Sequence, residues 1–285
     1  MTKDRAQTVL LTAAAVVAFA ANSVLTRMAL AGGAIEASQF VAVRLISGSF
    51  LLTAIALPRL SDVLPRRADL GGVVSLLTYV IAFTFAYNKL GAATGALILF
   101  PVVQLTLLVA ALWRGATLSR RERSGALVAL AGVVCLLGPR AAVPALSAGL
   151  LMCLAGVGWA SYTLLGKGVV DPVTRTARNF LGTAPAGLLI AATSCCVRPR
   201  AHALELAILS GAITSGLGYV VWYTVIPRLT TSEAGSAQLL VPVVTALTAV
   251  AWLGEPLTVS LVASSILILG GVWLVMSSSR TSGQP

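Results

Sequence analysis

Long apolar runs separated by short polar links fill the chain from Thr8 to Met276. Ten runs can be counted: Thr8–Met28, Ala37–Leu57, Leu70–Tyr87, Ala92–Leu112, Gly125–Leu137, Leu146–Leu165, Thr176–Val197, Ala203–Val225, Ser232–Trp252 and Leu257–Met276. A helix rises 1.5 Å per residue, so about 20 apolar residues cross a ~30 Å hydrocarbon core. The pattern predicts an all-α integral membrane protein of ten transmembrane helices. The fifth run is short and borrows residues from the basic stretch before it. Near the end, Ala234–Leu253 and Leu257–Met276 are divided only by Gly254-Glu255-Pro256, which permits nothing but a tight reversal. Pro242 inside the first arm removes one backbone hydrogen bond and bends the axis. Glu255 is expected to cap and orient this hairpin, with Pro256 starting the next helix.

The hairpin has an earlier copy. Ala96–Val103 reads A-L-I-L-F-P-V-V and Ala237–Val244 reads A-Q-L-L-V-P-V-V, matching at five of eight positions. Gly115 falls against Gly254, Leu118 against Leu257 and Gly132 against Gly271, all at an offset of 139. Pro101 and Pro242 stand 141 apart, so the first copy holds a small insertion near Trp113-Arg114. Five spans per half is an odd number, so the second half must enter the membrane upside down. Duplication with that parity predicts two inverted five-helix repeats, the plan of a transporter built from two halves.

The stretches S-E-A-G-S-A-Q-L-L-V-P-V-V, W-L-G-E-P-L-T and I-L-I-L-G-G-V-W-L-V resemble the second EamA repeat of the drug/metabolite transporter superfamily. R-G-A-T-L-S-R-R-E and G-A-L-V-A-L-A-G-V-V resemble the first. The chain departs at Ala116, where the family's G-E-x-L motif has its glutamate; Glu255 keeps the second copy. The resemblance implies a first repeat over 7–139, a second over 146–277 and a short cytoplasmic tail at 278–285. It also implies export, in a family that spans amino-acid, nucleoside and drug exporters.

Composition agrees with the pattern: 58% of residues are hydrophobic and 10% charged, and mean hydropathy is +0.94. The net charge of +11 need not mean nucleic acid. With the N-terminus inside, the inner links and ends carry 14 of the 20 Lys and Arg residues, among them Arg66, Arg67, Arg120, Arg121 and Arg123. The opposite side has Arg27, Lys89, Arg140, Arg198 and Arg200, and Arg44 lies within a span. This bias places both termini in the cytoplasm, and the expected location is a bacterial inner membrane. Lys3, Arg5 and Ala18-Phe19-Ala20 could pass for a cleaved signal peptide, but the apolar run continues to Met28, which makes it the first span. Cys135, Cys153, Cys195 and Cys196 have no metal-ligand spacing and read as small packing residues. His202 reads as a solvated residue near a helix end. With no P-loop, no Ser/His/Asp cluster and only short links, neither an enzyme nor a cofactor or metal is expected. The partners implied are a small-molecule substrate and membrane lipid, not nucleic acid, for a monomer or homodimer.

Polar residues inside spans are costly and mark function by default. Asn22, Ser23 and Thr26 share one turn of the first span, and Trp159, Ser161 and Tyr162 take the corresponding place in the sixth. They can line a pore or join helices by hydrogen bonds. Arg44, the family's arginine near the start of the second span, can snorkel outward as an anchor or attract a substrate carboxylate. Its counterpart is Asn179. Tyr79, Phe83 and Tyr87 form an i, i+4, i+8 stripe in the third span; Tyr219, Trp222 and Tyr223 answer it in the eighth. Such stripes are an interfacial belt, core packing or a binding wall. Gln104 follows Pro101, and Gln238 precedes Pro242 by one turn, giving polar points beside loosened helices. The reading places Asn22, Tyr79, Phe83, Gln104, Trp159, Tyr162, Tyr219, Trp222 and Gln238 on substrate, with Arg44, Pro101, Pro242 and Glu255 structural or gating. Helices 1, 3, 4, 6, 8 and 9 form the cavity wall; 5 and 10 support from outside. Glycines at Gly91, Gly95 and Gly211 allow helices to approach closely.

No Asp or Glu lies near the middle of a span, so a buried proton carrier is missing. The function expected is secondary-active export of small metabolites, amino acids first, by uniport or proton antiport. The alternative is a non-transporting scaffold or an intramembrane enzyme.

Overall fold

The computed structural model describes residues 3–115, 117–136, 143–194, 198–229 and 231–278. Ala116, Cys195, Cys196 and the tail beyond Ser278 lie outside them. Every element among the described residues is helical; besides short helical turns such as Leu60–Val63, the longer helices are α1 Lys3–Leu30, α2 Ala37–Ile55, α3 Leu70–Tyr87, α4 Ala92–Trp113, α5 Arg120–Leu136, α6 Val143–Gly166 and α7 Pro172–Thr193. The next, α8, runs Ala201–Leu209, widens into a π-helical stretch at Ser210–Leu217 and continues as Gly218–Val225. α9 spans Thr231–Leu253 and α10 Val259–Ser278. Among the described residues, six helical stretches are long and apolar enough to cross a membrane, and Ala237–Leu253 and Val259–Val275 are shorter apolar helices.

Local chemistry sets the boundaries. α5 starts at Arg120 because Ser119 and Glu122 cap it reciprocally, the Ser119 N–H donating to Glu122 at 2.7 Å and the Glu122 N–H to Ser119 Oγ at 3.2 Å. α7 starts at Pro172, four residues before the apolar run, because Asp171 accepts the Thr174 N–H at 3.1 Å and proline suits the first turn. The α9–α10 link is longer than expected: Pro256 does not open the helix, which begins at Val259. Gly115 and Gly254, at the offset of 139, both end their helices with positive φ, 90° and 65°. Only glycine takes that conformation cheaply.

α2 packs on α7, α3 on α6, α1 on α8, α4 on α9 and α5 on α10. The α5–α10 seam is the tightest kind of contact. A Cβ on Gly271 would stand 2.4 Å from the Ala129 nitrogen and 2.6 Å from the Gly125 carbonyl oxygen. α1 also touches α9, and α4 touches α6.

The polarity of this bundle is inverted relative to a soluble protein. Phe50, Trp113, Leu150, Leu189, Leu247 and Trp252 are exposed, while Asn22, Arg44, Asn179 and Gln238 are buried. An apolar exterior of this extent needs lipid to cover it, so the chain is a multi-pass membrane protein. Contacts sort the links into two ends. At one, Asp69 holds Arg175 at 2.7 Å, Arg228 reaches Gln7, and Arg121 lies 5.6 Å over the Trp273 ring. At the other, the Arg200 N–H donates to the Ala34 carbonyl at 2.8 Å and Glu255 meets the start of α4.

Candidate functional site

Aromatic rings from α1, α3, α6, α7 and α8 fill the centre. Trp159 stands 4.8 Å from Tyr219, 5.2 Å from Tyr79 and 5.1 Å from Phe19 between ring centroids. Tyr162 stacks on Tyr223 at 5.1 Å, Phe180 lies 6.0 Å from Tyr219, and Trp222 meets Phe19 edge-on at 5.6 Å. Phe83 bridges Tyr79 and Tyr87 at 5.1 and 4.6 Å. These tilted and edge-on geometries suit the ring quadrupoles.

Polar groups thread the rings. Asn22 donates its Nδ2 hydrogen to the Tyr79 hydroxyl at 3.3 Å and accepts on Oδ1 from Ser210 at 2.7 Å and Thr214 at 3.2 Å. Trp159 Nε1 donates to Gln238 Oε1 at 3.4 Å, and Asn179 Nδ2 to the Tyr162 hydroxyl at 3.3 Å. The Tyr223 hydroxyl donates to the Tyr162 carbonyl at 2.7 Å. Thr26 instead turns back on its own helix, to the Asn22 carbonyl.

Arg44 does not snorkel. Its side chain is fully buried. Nε donates to Ser215 Oγ at 3.0 Å and Nη2 to the Tyr219 hydroxyl at 2.9 Å, with Cζ 5.4 and 5.1 Å from the Tyr79 and Phe83 rings. Nη1 has no hydrogen-bond partner. A glycine makes this placement possible: a Cβ on Gly211 would sit 2.2 Å from the Arg44 carbonyl oxygen, so α8 can press directly on the backbone of α2.

Eight of the nine residues expected on substrate therefore meet in one cluster; Gln104 does not. It is half-buried on α4, and its amide nitrogen has no partner. The wall expected from helices 1, 3, 4, 6, 8 and 9 gains α2, through Arg44, and α7, through Asn179 and Phe180. Phe19, Phe180, Ser210, Thr214 and Ser215 were missed. Phe19 stands one turn before Asn22, and Ser210 and Thr214 are four apart, so helical spacing could have found them. Among the described residues no group of three or more His, Cys, Asp or Glu side chains could hold a metal. The cluster can bind an amphipathic molecule by ring faces, amides, hydroxyls and one guanidinium. It is closed: the void among Phe19, Ser23, Tyr79, Phe83, Leu99, Phe100 and Trp159 is only about 10 Å³, room for one water at most.

The sequence profile of the EamA-like transporter family matches residues 146–277. The uncharacterized protein PA1977 of Pseudomonas aeruginosa is 45% identical over 272 residues, covering 95% of each chain. The chain belongs to the EamA-like transporter family. An uncharacterized transporter of Bacillus subtilis, YvbV, is 26% identical over 97% of this chain and 93% of its own. One of Archaeoglobus fulgidus is 26% identical over 67% of this chain and 69% of its own. A crystal structure of a protein 22% identical superposes with a TM-score of 0.71 over 97% of this chain and 99% of that one, so the fold is shared.

In this EamA-like transporter the retained motif glutamate lies away from the cluster. Glu255 does not cap its own hairpin. Oε1 accepts the Ala92 N–H at 2.6 Å and Oε2 the Ala93 N–H at 3.2 Å, so the α9–α10 turn is tied to the first turn of α4. A carboxylate there satisfies two orphan donors and complements the helix dipole. At the opposite end a cleft of about 1080 Å³ opens between α1 and α9, lined by Asp4, Arg5, Thr12, Val16, Arg228 and Leu240 among others.

Proposed function

We propose that this transporter is a secondary-active exporter of small amphipathic metabolites, amino acids first, working by alternating access between two inverted five-helix repeats at 7–139 and 146–277. The observation that carries the reading is the buried polar and aromatic cluster at the crossing of the two halves, inside a bundle whose exterior is apolar. Soluble-protein logic gives no reason to desolvate Asn22, Arg44, Asn179 and Gln238 together; a path for a polar solute does. The packing supports two-fold symmetry. Exchanging the first five helices with the last five maps α2–α7, α4–α9 and α5–α10 onto themselves and α1–α8 onto α6–α3. Midplane binding between such repeats is the arrangement that lets one half rock on the other.

Coupling by uniport fits the site better than proton antiport, because no carboxylate among the described residues takes part in the cluster. The end holding Asp69, Arg175 and Arg228 faces the cytoplasm of a bacterial inner membrane, as the 14-to-5 distribution of basic residues favours. Counterflow in proteoliposomes with a mixed pool of labelled metabolites tests transport, and a growth-resistance screen with inhibitory amino acids and analogues tests the substrate. Folded protein that exchanges no compound would sink the reading. A single cysteine beside Arg121 should label from the inside only; labelling by an impermeant reagent from outside reverses the orientation.

A further inference from the structure

We propose that the Arg44 guanidinium is the anion subsite of the transport site, so that the substrate is a carboxylate on an apolar body, recognised by its negative end. The inference deepens the transporter reading and rests on it.

A buried cation normally comes with an acid. Removing a guanidinium from water costs several kcal/mol, and a well-placed, hydrogen-bonded carboxylate offsets part of it. Arg44 has none among the described residues. Its partners are the neutral hydroxyls of Ser215 and Tyr219 and the faces of Tyr79 and Phe83, with the Tyr79 hydroxyl also close to its charge. Nη1 donates to nothing. The chain thus keeps a desolvated positive charge whose Nη1 group, with two N–H donors, is unpartnered, at the point where α2 and the π-helical stretch of α8 converge. A planar guanidinium is the donor best matched to a carboxylate.

The surroundings fit that ligand. Tyr79 and Phe83, which lie under the guanidinium, also line the small void with Phe19 and Trp159. They offer ring faces to an apolar body. The cleft between α1 and α9 approaches this void along α1. Val16 lines that cleft and Phe19 lines the void. The two are three residues apart on one helix face, about 4.5 Å along the axis. The mouth carries Arg5 and Arg228 against Asp4, a net positive entrance for an anion.

The test uses the purified full-length protein in detergent, with thermal unfolding as the binding readout. The probes share one apolar body: 3-phenylpropionate, L-phenylalanine, L-phenylalaninamide and phenethylamine, with the aliphatic acids isovalerate and L-leucine alongside. The acids should raise the melting temperature and the amide and amine should not. Arg44→Met should weaken acid binding about 10- to 100-fold, the loss of a charged hydrogen bond, while the unliganded protein melts no lower than the parent because an uncompensated charge has gone. Arg44→Lys should keep part of the acid preference, and it serves if Arg44→Met fails to fold. Equal protection by amide or amine overturns the proposal, as does no shift with any of the acids. Retained acid binding in Arg44→Met with a lower melting temperature would make Arg44 a structural cross-link and overturn it too. Acid-selective binding without exchange of any compound in proteoliposomes would strike the transporter reading and leave the subsite standing. Exchange of amines without acid preference would do the reverse.

Discussion

Removing Glu255 should loosen the tie between the α9–α10 turn and α4. Its two oxygens hold the Ala92 and Ala93 N–H groups at 2.6 and 3.2 Å, two donors with no partner inside the helix. A side-chain cap contributes about 0.5–2 kcal/mol, and the charge at the helix start adds ~0.3–1 kcal/mol. Glu255 is half-buried, which places the sum for Glu255→Ala near 2 kcal/mol. At roughly 2–4 °C per kcal/mol for a chain of this size, the melting temperature should fall about 4–8 °C. Glu255→Gln keeps one carbonyl acceptor but loses the charge, so about half of that fall is expected. Gly91 supplies a second arm. A Cβ there would stand 2.8 Å from Glu255 Oε2, so Gly91→Ala must displace the carboxylate. The pair forms a double-mutant cycle, because both substitutions break one contact. Heating detergent-solubilised protein and following the monodisperse fraction gives the four melting temperatures. Gly91→Ala/Glu255→Ala should cost little more than Glu255→Ala alone. A Glu255→Ala protein melting within ~1 °C of the parent, or strict additivity in the cycle, would refute the tie.

Trp222→Ala empties a fully buried site beside Phe19. It should cost about 3–5 kcal/mol of stability and slow export of bulky substrates more than small ones in a proteoliposome series. Tyr79→Phe leaves the Asn22 amide without its acceptor, so a loss of about 1–3 kcal/mol is expected in thermal unfolding; ring-face binding alone would make the change silent. Asp69→Asn weakens the 2.7 Å pair with Arg175, whose acid is 2% exposed. It should lower the melting temperature, by less than the ~3–5 kcal/mol of a wholly buried pair because Arg175 is partly solvated. Gly271→Ala drives a methyl group into the Ala129 backbone, so overpacking should cost at least ~1–3 kcal/mol, read as lower yield of monodisperse protein.

Element type and order were written in the apolar runs, because a span must be about 20 residues long and hydrophobic whatever its neighbours. The aromatic stripes were legible for the same reason: Tyr79 and Phe83 sit four apart, so any helix puts them on one face. What spacing cannot supply is the partner across the gap. Glu255 reads as a turn residue in sequence, yet its contact is with α4, 163 residues away from Ala92 along the chain. The same holds for Asp69 and Arg175. Each is an ordinary polar residue in a link until two links are folded side by side.

Arg44 shows why depth and direction were the hardest part. Its position near the start of a span allowed either a snorkelling anchor or a buried charge, and α2 alone does not choose. The choice is made by α8. In an undistorted α-helix, residues five apart differ by roughly 140° in direction, so Ser210 and Ser215 would face widely separated directions. The wider i→i+5 turns at Ser210–Leu217 close much of that angle. Ser210 and Thr214 can then serve Asn22 on α1 while Ser215 and Tyr219 serve Arg44 on α2. Gly211, between them, removes the side chain that would hold α2 away. A helical wheel drawn at 100° per residue finds each pair, Ser210 with Thr214 and Ser215 with Tyr219, but sets the two pairs about 140° apart. The π-helical stretch is thus the local irregularity on which the central charge depends. Straightening it should send Arg44 back toward the membrane surface.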